Sequence, residues 1–461
     1  MPKDILVLMT DQHRFDWIGV PHVRTPALDS LAAQGLTLDR CYTTSPICMP
    51  ARASFLTGMY PHNFGMWDNI GRLPDTGDSC LHALKEAGYR TCHVGKSHLY
   101  PHGGSKDLRS EEPYMRALGW DDIRECTGPL STQTTRSILT DFFEANGILD
   151  LFLEDYRRRK EVGWDLAHWP SPLPDGKHAD DFIGMQAVEY IASSDRSQPL
   201  YLFVGIGGPH NPWDPPQRFD TYPPEGMPPP LPRDPAPEWL SGPALEFHQK
   251  LMGHHMDTTP EQFARLRALY SAKVEHVDTV MGRVLEAWYG TRGEDSWVLF
   301  WSDHGEMAGD KGRCHKETFF ESSAHVPAII RPPGGVPAPM KSDSLVSLTD
   351  LTATLLDAAG CEPRANVFGR AVHPALDGSA VGSSVVVSEI FDRAMISDGR
   401  WKMTVNTRND VLQLFDLAED PTESLNLAGR PDTIGEVRRL RHELLDFRLR
   451  TDDRQFREVN G

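Results

Sequence analysis

No apolar run in the chain approaches the roughly 18 residues that a membrane-spanning helix requires, so a soluble protein with no membrane partner is expected. The opening Met1-Pro2-Lys3-Asp4 enters an apolar strand at once. It lacks the charged, long-apolar and small-residue zones of a secretory leader, and a cytoplasmic location is the expectation. Cysteine is sparse: seven residues, an odd number, scattered without close pairs. That excludes a disulfide framework and a C-x-x-C metal site, and reduced thiols are expected. Positive charge is in deficit, with 47 Lys and Arg against 65 Asp and Glu and a formal net charge of −18. Such a balance argues against nucleic acid or an acidic membrane as partner, while leaving room for a local basic pocket that takes a small anion. No internal repeat is present. Length allows a sizeable core, since 461 residues leave room for one large and one smaller domain.

The stretch that stands out is Thr43-Thr44-Ser45-Pro46-Ile47-Cys48-Met49-Pro50-Ala51-Arg52-Ala53-Ser54-Phe55-Leu56-Thr57-Gly58. Proline has no N–H to leave unpaired and suits a first helical turn, so a helix is predicted over 50–57 with Gly58 as its stop. Cys48 then lies beside a helix N-terminus, where unpaired N–H groups and the positive dipole end favour an anion. Arg52, one turn along, can grip an oxyanion with two N–H groups. A small buried cysteine and a surface arginine are the plainer alternative. A cysteine phosphatase also sets a thiolate and an arginine at a helix start, but with a longer spacing.

Helix and strand alternate through most of the chain. The apolar run 5–9 reads as a strand buried on both faces, ending in Thr10-Asp11-Gln12-His13. Further strands over 89–94, 200–205 and 297–301 end in Gly95-Lys96-Ser97-His98, Gly208-Pro209-His210 and Ser302-Asp303-His304-Gly305-Glu306. Ligands gather at such C-terminal edges in open α/β sheets. If these strands are neighbours, Asp11, Gln12, Asp303 and His304 converge on one divalent cation. Oxygen donors point to calcium or magnesium, while His304 keeps manganese and zinc open. Turn and capping roles for Asp11 and Gln12 are the alternative.

Lys96 and His98 can meet one anion, His210 can serve a leaving group or oxyanion, and Lys316 can neutralise the substrate. The charged run 155–160 reads as a solvated helix face and the proline-crowded 212–237 as a stiff wall over the site. A helix over 260–289 should pack on the sheet, with His276 and Asp278 at the core edge or surface. Trp67, Tyr100 and Trp213 suit either a substrate pocket or ordinary packing. From 369 onward the pattern changes to strands over 384–389, 400–405 and 412–415 and a helix over 434–449. The expected division is therefore 1–368, a catalytic domain, and 369–461, a C-terminal subdomain. The fold class is α/β: a large mixed, mostly parallel sheet sandwiched by helices, with a smaller antiparallel sheet plus helix.

Cys48-Met49-Pro50-Ala51-Arg52 with Leu56-Thr57-Gly58 resembles the sulfatase signature, in which the cysteine of C-x-P-x-R is converted to formylglycine after synthesis. Asp11-Gln12, Gly95-Lys96-Ser97-His98, Pro209-His210, Ser302-Asp303-His304-Gly305 and Lys316 extend the resemblance over most of the chain. Leu414-Phe415-Asp416-Leu417, Asp420-Pro421 and Asn426-Leu427-Ala428 carry it into the C-terminal part. The resemblance implies an alkaline phosphatase-like fold and a sulfuric ester hydrolase. It also implies one divalent ion, calcium foremost, held by Asp11, Gln12, Asp303, His304 and the modified Cys48, and maturation by a formylglycine-generating enzyme.

It further implies that a formylglycine hydrate attacks the ester, that Arg52, Lys96 and Lys316 balance charge, and that His98 or His210 protonates the leaving alcohol. Asn69 is added as a substrate-binding residue from its place after the signature. Two departures stand out. Asp11-Gln12 and Asp303-His304 replace the second aspartate and the asparagine of better-known sulfatases, so the chain resembles the choline-sulfatase and phosphonate monoester hydrolase branch. Ala51 stands where many signatures have serine. The expected substrate is a small or aryl sulfate ester. A phosphonate monoester or phosphate diester, and an inactive homologue that binds sulfated or phosphorylated ligands, are the alternatives. Homo-oligomerisation stays open.

Overall fold

The computed structural model describes residues 2–452 apart from 76, 254–257, 363 and 380; the expected subdomain's last residues, 453–461, lie outside the described residues. In chain order the strands are β1 (Ile5–Asp11), β2 (Leu36–Leu38), β3 (Cys41–Tyr42), β4 (Arg90–Gly95), β5 (Asp122–Glu125), β6 (Leu200–Pro209), β7 (Trp297–Ser302), β8 (His325–Val326), β9 (Ala328–Arg331), β10 (Met340–Ser342), β11 (Val346–Ser347), β12 (Val386–Ile390), β13 (Arg393–Ser397), β14 (Trp401–Asn406) and β15 (Val411–Asp416).

Strand β1 is buried along its whole length, and alternation divides its side chains between two cores. Ile5, Val7 and Met9 pack with Phe55, Phe203 and Trp301 on one face. Leu6 and Leu8 pack with Leu202, Val277, Val280 and Phe300 on the other. Helices Cys48–Thr57 and Leu348–Ala358 cover the first face, and Ala179–Ser193 and Pro260–Arg292 the second. This double cover is why the central strands read as continuous apolar runs. The large sheet has the order β10-β2-β9-β7-β1-β6-β4-β5. Only β9 runs antiparallel to its neighbours, so the sheet is mixed and mostly parallel, as expected. Strands β12 to β15 form a separate antiparallel sheet, against which helix Ile434–Arg450 buries Leu440 and Phe447.

Several elements differ from expectation for identifiable reasons. The signature helix begins at Cys48, not Pro50, so Pro50 is its third residue; that N–H would have been unpaired anyway, which makes the proline tolerable there. Gly58 ends it as expected, at φ 73° with its N–H on the Ser54 carbonyl. The run 155–160 is not a purely solvated face. Asp155, Tyr156 and Arg159 are buried, with Arg159 bonded to Asp155 at 2.7 Å and to the carbonyls of Ala167 and Pro170. His276 and Asp278 are fully buried rather than at the edge. Asp278 accepts the N–H groups of Ala27 and Leu28, both at 2.9 Å, and so caps helix Pro26–Ala33 across the fold. Segment 212–237 packs along the long helix, where Arg267 binds the Pro228 carbonyl and Leu231 pairs with Asp310 and Lys311. Strand β13 escaped the sequence because Arg393-Ala394-Met395-Ile396-Ser397 mixes weak strand formers and follows a tight turn without glycine or asparagine.

A buried ionic clasp joins the antiparallel sheet to the rest. Lys402 on β14 lies 2.7 Å from Glu321 Oε1 and also pairs with Glu423. Tyr42 and His325 add bonds to Glu321, whose own N–H donates to Glu423 at 2.7 Å. Burial, opposed by Lys402 and reinforced by Glu321, pushes the Glu423 carboxyl up from 4.5 to about 7. Between those values the folded protein keeps a proton that the unfolded chain has released, so stability falls as pH rises through this window. Replacing Glu423 with Gln should flatten that slope. Denaturant unfolding at about pH 5 and about pH 8 should show the native loss shrinking by on the order of 2 kcal/mol in the variant.

Candidate active site

The parallel strands β1, β4, β6 and β7 bring their C-terminal ends into line, with Thr10 opposite Ser302, Asp11 opposite Pro209 and Gly95 opposite Gly205. Asp11, Lys96, His210, Asp303 and His304 therefore leave the sheet at one edge, and the signature helix aims its N-terminus there. Its capping residue Ile47 has no side chain to offer; Asn69 supplies the cap instead, accepting the Met49 N–H at 2.9 Å. After His304 the chain passes so close to Ser322 that a Cβ on Gly305 would lie 2.1 Å from the carbonyl oxygen. Only glycine fits there.

Asp11, Cys48, Asp303 and His304 are all buried and place their donor atoms within 4.8 Å of one another. His304 Nδ1 faces the Gly305 carbonyl at 2.9 Å, which assigns the ring proton to that nitrogen and leaves the Nε2 lone pair pointing inward. Nε2 is 3.2 Å from Cys48 Sγ, 3.7 Å from Asp11 Oδ1 and 3.6 Å from Asp303 Oδ1. The outer oxygens of both carboxylates are held from behind. Arg52 Nη2 binds Asp11 Oδ2 at 2.6 Å, its Nε binds Asp303 Oδ2 at 2.8 Å, and Lys96 pairs with Asp11 Oδ2. The inner oxygens lie on the side of the Cys48 thiol and the His304 ring, and Asp303 Oδ1 also accepts the main-chain N–H groups of Gln12 at 3.1 Å and His304 at 2.9 Å. Two carboxylate oxygens, a sulfur and an oriented imidazole nitrogen suit a divalent cation, and the Gly305 bond is the outer contact such a ligand histidine needs.

The electrostatics agree with a site built for a cation. Burial would push the Cys48 thiol up, but Lys316, His304 and Lys96 together bring it well below its ordinary value. Burial and the neighbouring Asp11 raise Asp303, while burial's effect on His304 is overcome chiefly by Asp303, so the imidazole is raised. Lys316 Nζ stands at the open side, 3.3 Å from Cys48 Sγ, 2.8 Å from Gln12 Oε1 and 2.9 Å from His210 Nε2. His210 Nδ1 lies 2.6 Å from the Asn211 carbonyl, so Nε2 is the lone-pair nitrogen that accepts from the ammonium. Burial and Lys316 hold His210 down to about 4, and burial and Lys96 hold His98 down to about 3. Both imidazoles are neutral at pH 7.

All the predicted site residues therefore gather at one edge, in different postures. Arg52 was expected to grip a substrate anion; its four hydrogen bonds go instead to the two carboxylates and to the carbonyls of Lys96 and Ser97. Gln12 donates its main-chain N–H to Asp303 and its side-chain oxygen is taken by Lys316. Tyr100 and Trp213 are buried, whereas Trp67 is exposed. His178, Asp180 and His276 form a second donor cluster, but the Lys273 ammonium already sits in it, 3.0 Å from His178 Nε2 and 2.8 Å from Asp214. Asp180 also accepts the Gly208 N–H at 2.9 Å, bracing the strand end that carries His210. These bracing residues lie in no motif, and only their burial on amphipathic segments could have flagged them. No helix among the described residues is long and apolar enough to cross a membrane.

The large mixed, mostly parallel sheet covered by helices, with a small separate antiparallel sheet, is an alkaline phosphatase-like fold. The chain belongs to the sulfatase family, whose model matches residues 3–361. A second model, described as N-sulphoglucosamine sulphohydrolase, C-terminal, matches residues 309–450. Over 459 aligned residues the chain is 28% identical to an arylsulfatase of Clostridium perfringens, covering 93% of this chain and 90% of that protein. It is equally 28% identical to a choline-sulfatase of Rhizobium meliloti, covering 93% and 83%. The crystal structure of the phosphonate monoester hydrolase of Agrobacterium radiobacter superposes with a TM-score of 0.79 at 23% identity, covering 97% of this chain and 96% of that one. This last likeness is one of fold.

Removing Arg52 would leave two buried carboxylates without their shared partner. Arg52→Ala should cost about 3 kcal/mol or more, measured by denaturant unfolding in a chelating buffer, and Arg52→Lys should recover little, because one ammonium cannot span both carboxylates.

Proposed function

We propose that the protein hydrolyses a sulfate monoester of a small or aryl alcohol, with Cys48 matured to formylglycine by a formylglycine-generating enzyme. The observation that carries this reading is the buried set Asp11, Cys48, Asp303 and His304 with Lys316 at its open side. Asp11, Asp303 and His304, with Gln12 beside them, would hold one divalent ion, calcium foremost. Such an ion polarises a substrate oxygen and lowers the pKa of the oxygen nucleophile that the formylglycine hydrate provides. Cys48 thus stands for the precursor of that nucleophile; its sulfur marks where the reacting oxygen belongs.

The chain's other residues then have separate tasks. Arg52 and Lys96 keep the carboxylates in place. Lys316 binds a non-bridging oxygen of the substrate and, with its Nζ 2.9 Å from His210 Nε2, forms a pair that holds a proton where the leaving alcohol departs. His98 carries a neutral imidazole beside Cys48, suited to accept a proton when the enzyme is regenerated. Asn69 secures the helix start and lies near the place of the bound ester. The seven cysteines are free, which supports a cytoplasmic location. Phosphonate monoester or phosphate diester hydrolysis at the same site is the second reading, supported by His304 in the donor set and by the fold shared with a phosphonate monoester hydrolase.

Mass spectrometry of the Cys48 peptide from the native host tests the first claim: the aldehyde is expected, and an intact thiol overturns catalysis by this route. Parallel kinetics on aryl sulfates and phosphonate monoesters decide between the two readings, higher kcat/KM on the sulfate being expected. Chelation should abolish turnover and added calcium restore it. Lys316→Ala should lower kcat roughly 10²–10³-fold, the loss typical of removing one donor to a developing negative charge.

A further inference from the structure

Glu306 follows the Asp303-His304 pair, is fully buried, and has no part in the roles described so far. Its carboxylate joins two pieces of the site. Oε2 receives a side-chain amide N–H of Gln12, while Oε1 accepts the main-chain N–H groups of Ala308 at 2.7 Å and His315 at 2.6 Å. The other end of the Gln12 amide offers Oε1 to Lys316 Nζ at 2.8 Å. The chain of contacts closes on itself, because Lys316 is the next residue after His315.

A carboxamide has two chemically opposite ends, one that only donates and one that only accepts. Left alone, it can lie either way round. Beside a buried carboxylate it cannot, since oxygen against oxygen is repulsive and leaves both unsatisfied. Glu306 therefore decides that Gln12 turns its oxygen, and not two N–H groups, toward Lys316. The same carboxylate restrains the loop that delivers Lys316. Ala308, Lys311, His315 and Glu317 have φ of 46°, 56°, 71° and 73°, in the left-handed region where side chains are strained. Such a backbone persists only where its surroundings hold it, and Glu306 Oε1 takes an N–H from both Ala308 and His315.

We propose that Glu306 is a positioning residue: it sets the orientation of the Gln12 amide and, through it and the loop, the place of the Lys316 ammonium. The inference rests on the reaction proposed above for the role of Lys316. The test is a swap of the two groups. In Glu306→Gln the new carboxamide keeps its oxygen on Ala308 and His315 and turns its NH2 toward Gln12, which must flip and present N–H groups to Lys316. Activity on the preferred ester and affinity for calcium, titrated calorimetrically into chelator-treated protein, should each fall about 10–100-fold, with the loss in kcat exceeding any rise in KM. In the double variant Gln12→Glu/Glu306→Gln, a carboxylate at position 12 again accepts from both neighbours at unchanged net charge, and most of the loss should be regained. Gln12→Glu alone sets two carboxylates face to face and should have the lowest Tm of the set.

If Glu306→Gln keeps native kcat and calcium affinity, or the folded double variant is no better than it, the proposal falls. Thermal unfolding of all four proteins in chelator gives the coupling between positions 12 and 306 whether or not any ester is turned over. A Tm in the double variant above that of either single variant is expected, and strictly additive losses overturn the orientation argument even if the reaction itself has been misassigned.

Discussion

The bidentate hold of Arg52 on Asp11 and Asp303 is the interaction on which the site depends. Those carboxylates come from the ends of two adjacent parallel strands, and Arg52 comes from the first turns of the helix that begins with Cys48. Two ionised carboxylates side by side in a protein interior repel one another and lose their hydration. The guanidinium compensates for both with one planar group, and it does so at the outer oxygens. The inner oxygens are consequently turned toward His304 and Cys48. One residue thereby ties strand register, helix position and donor geometry into a single arrangement, and its remaining N–H groups on the Lys96 and Ser97 carbonyls bring in a third strand end.

That arrangement also accounts for the burial of the whole signature helix. Every residue from Cys48 to Thr57 is buried, so the helix has no polar face to water, and its orphan N–H groups must be satisfied inside the protein. Asn69 takes the one at Met49, and the negative donors at the sheet edge sit in the favourable field of the helix N-terminus. The loop after His304 can come close enough to complete the site because Gly305 has no Cβ.

Much of this was legible beforehand. Continuous apolar runs marked the central strands because both sheet faces are covered, and the polar residues directly after each run marked the edge where they meet. Residue identities at the site were therefore accessible, but their postures were not. An arginine near a helix start looks the same in sequence whether it reaches outward to a substrate or backward to Asp11 and Asp303. Asp278 read as a core-edge or surface group and Arg159 as part of a solvated helix face, since their partners, the N–H groups at 27 and 28 and the carbonyls at 167 and 170, are backbone atoms brought near only by folding. Strand β13 has little strand propensity of its own and exists through pairing on both sides with β12 and β14.

The charge at the open side bears on what the proposed conversion of Cys48 would change. In the unmodified chain Lys316 lies 3.3 Å from Sγ, and its field is the strongest of those that favour the thiolate. A thiolate there engages the Lys316 ammonium, which lies against Gln12 and His210 and, among the described residues, is in no ion pair with a carboxylate, and leaves an incoming anionic ester little positive charge to meet. Replacing the sulfur with an uncharged aldehyde, as proposed, removes that partner. Asp11 and Asp303 would then face Arg52, Lys96 and Lys316 together with any bound divalent ion, and the site would carry a net positive charge before substrate arrives. On this account maturation does more than supply an oxygen nucleophile. It would also free Lys316, which the Gln12 amide and the restrained loop would continue to hold at the position where a tetrahedral anion would bind.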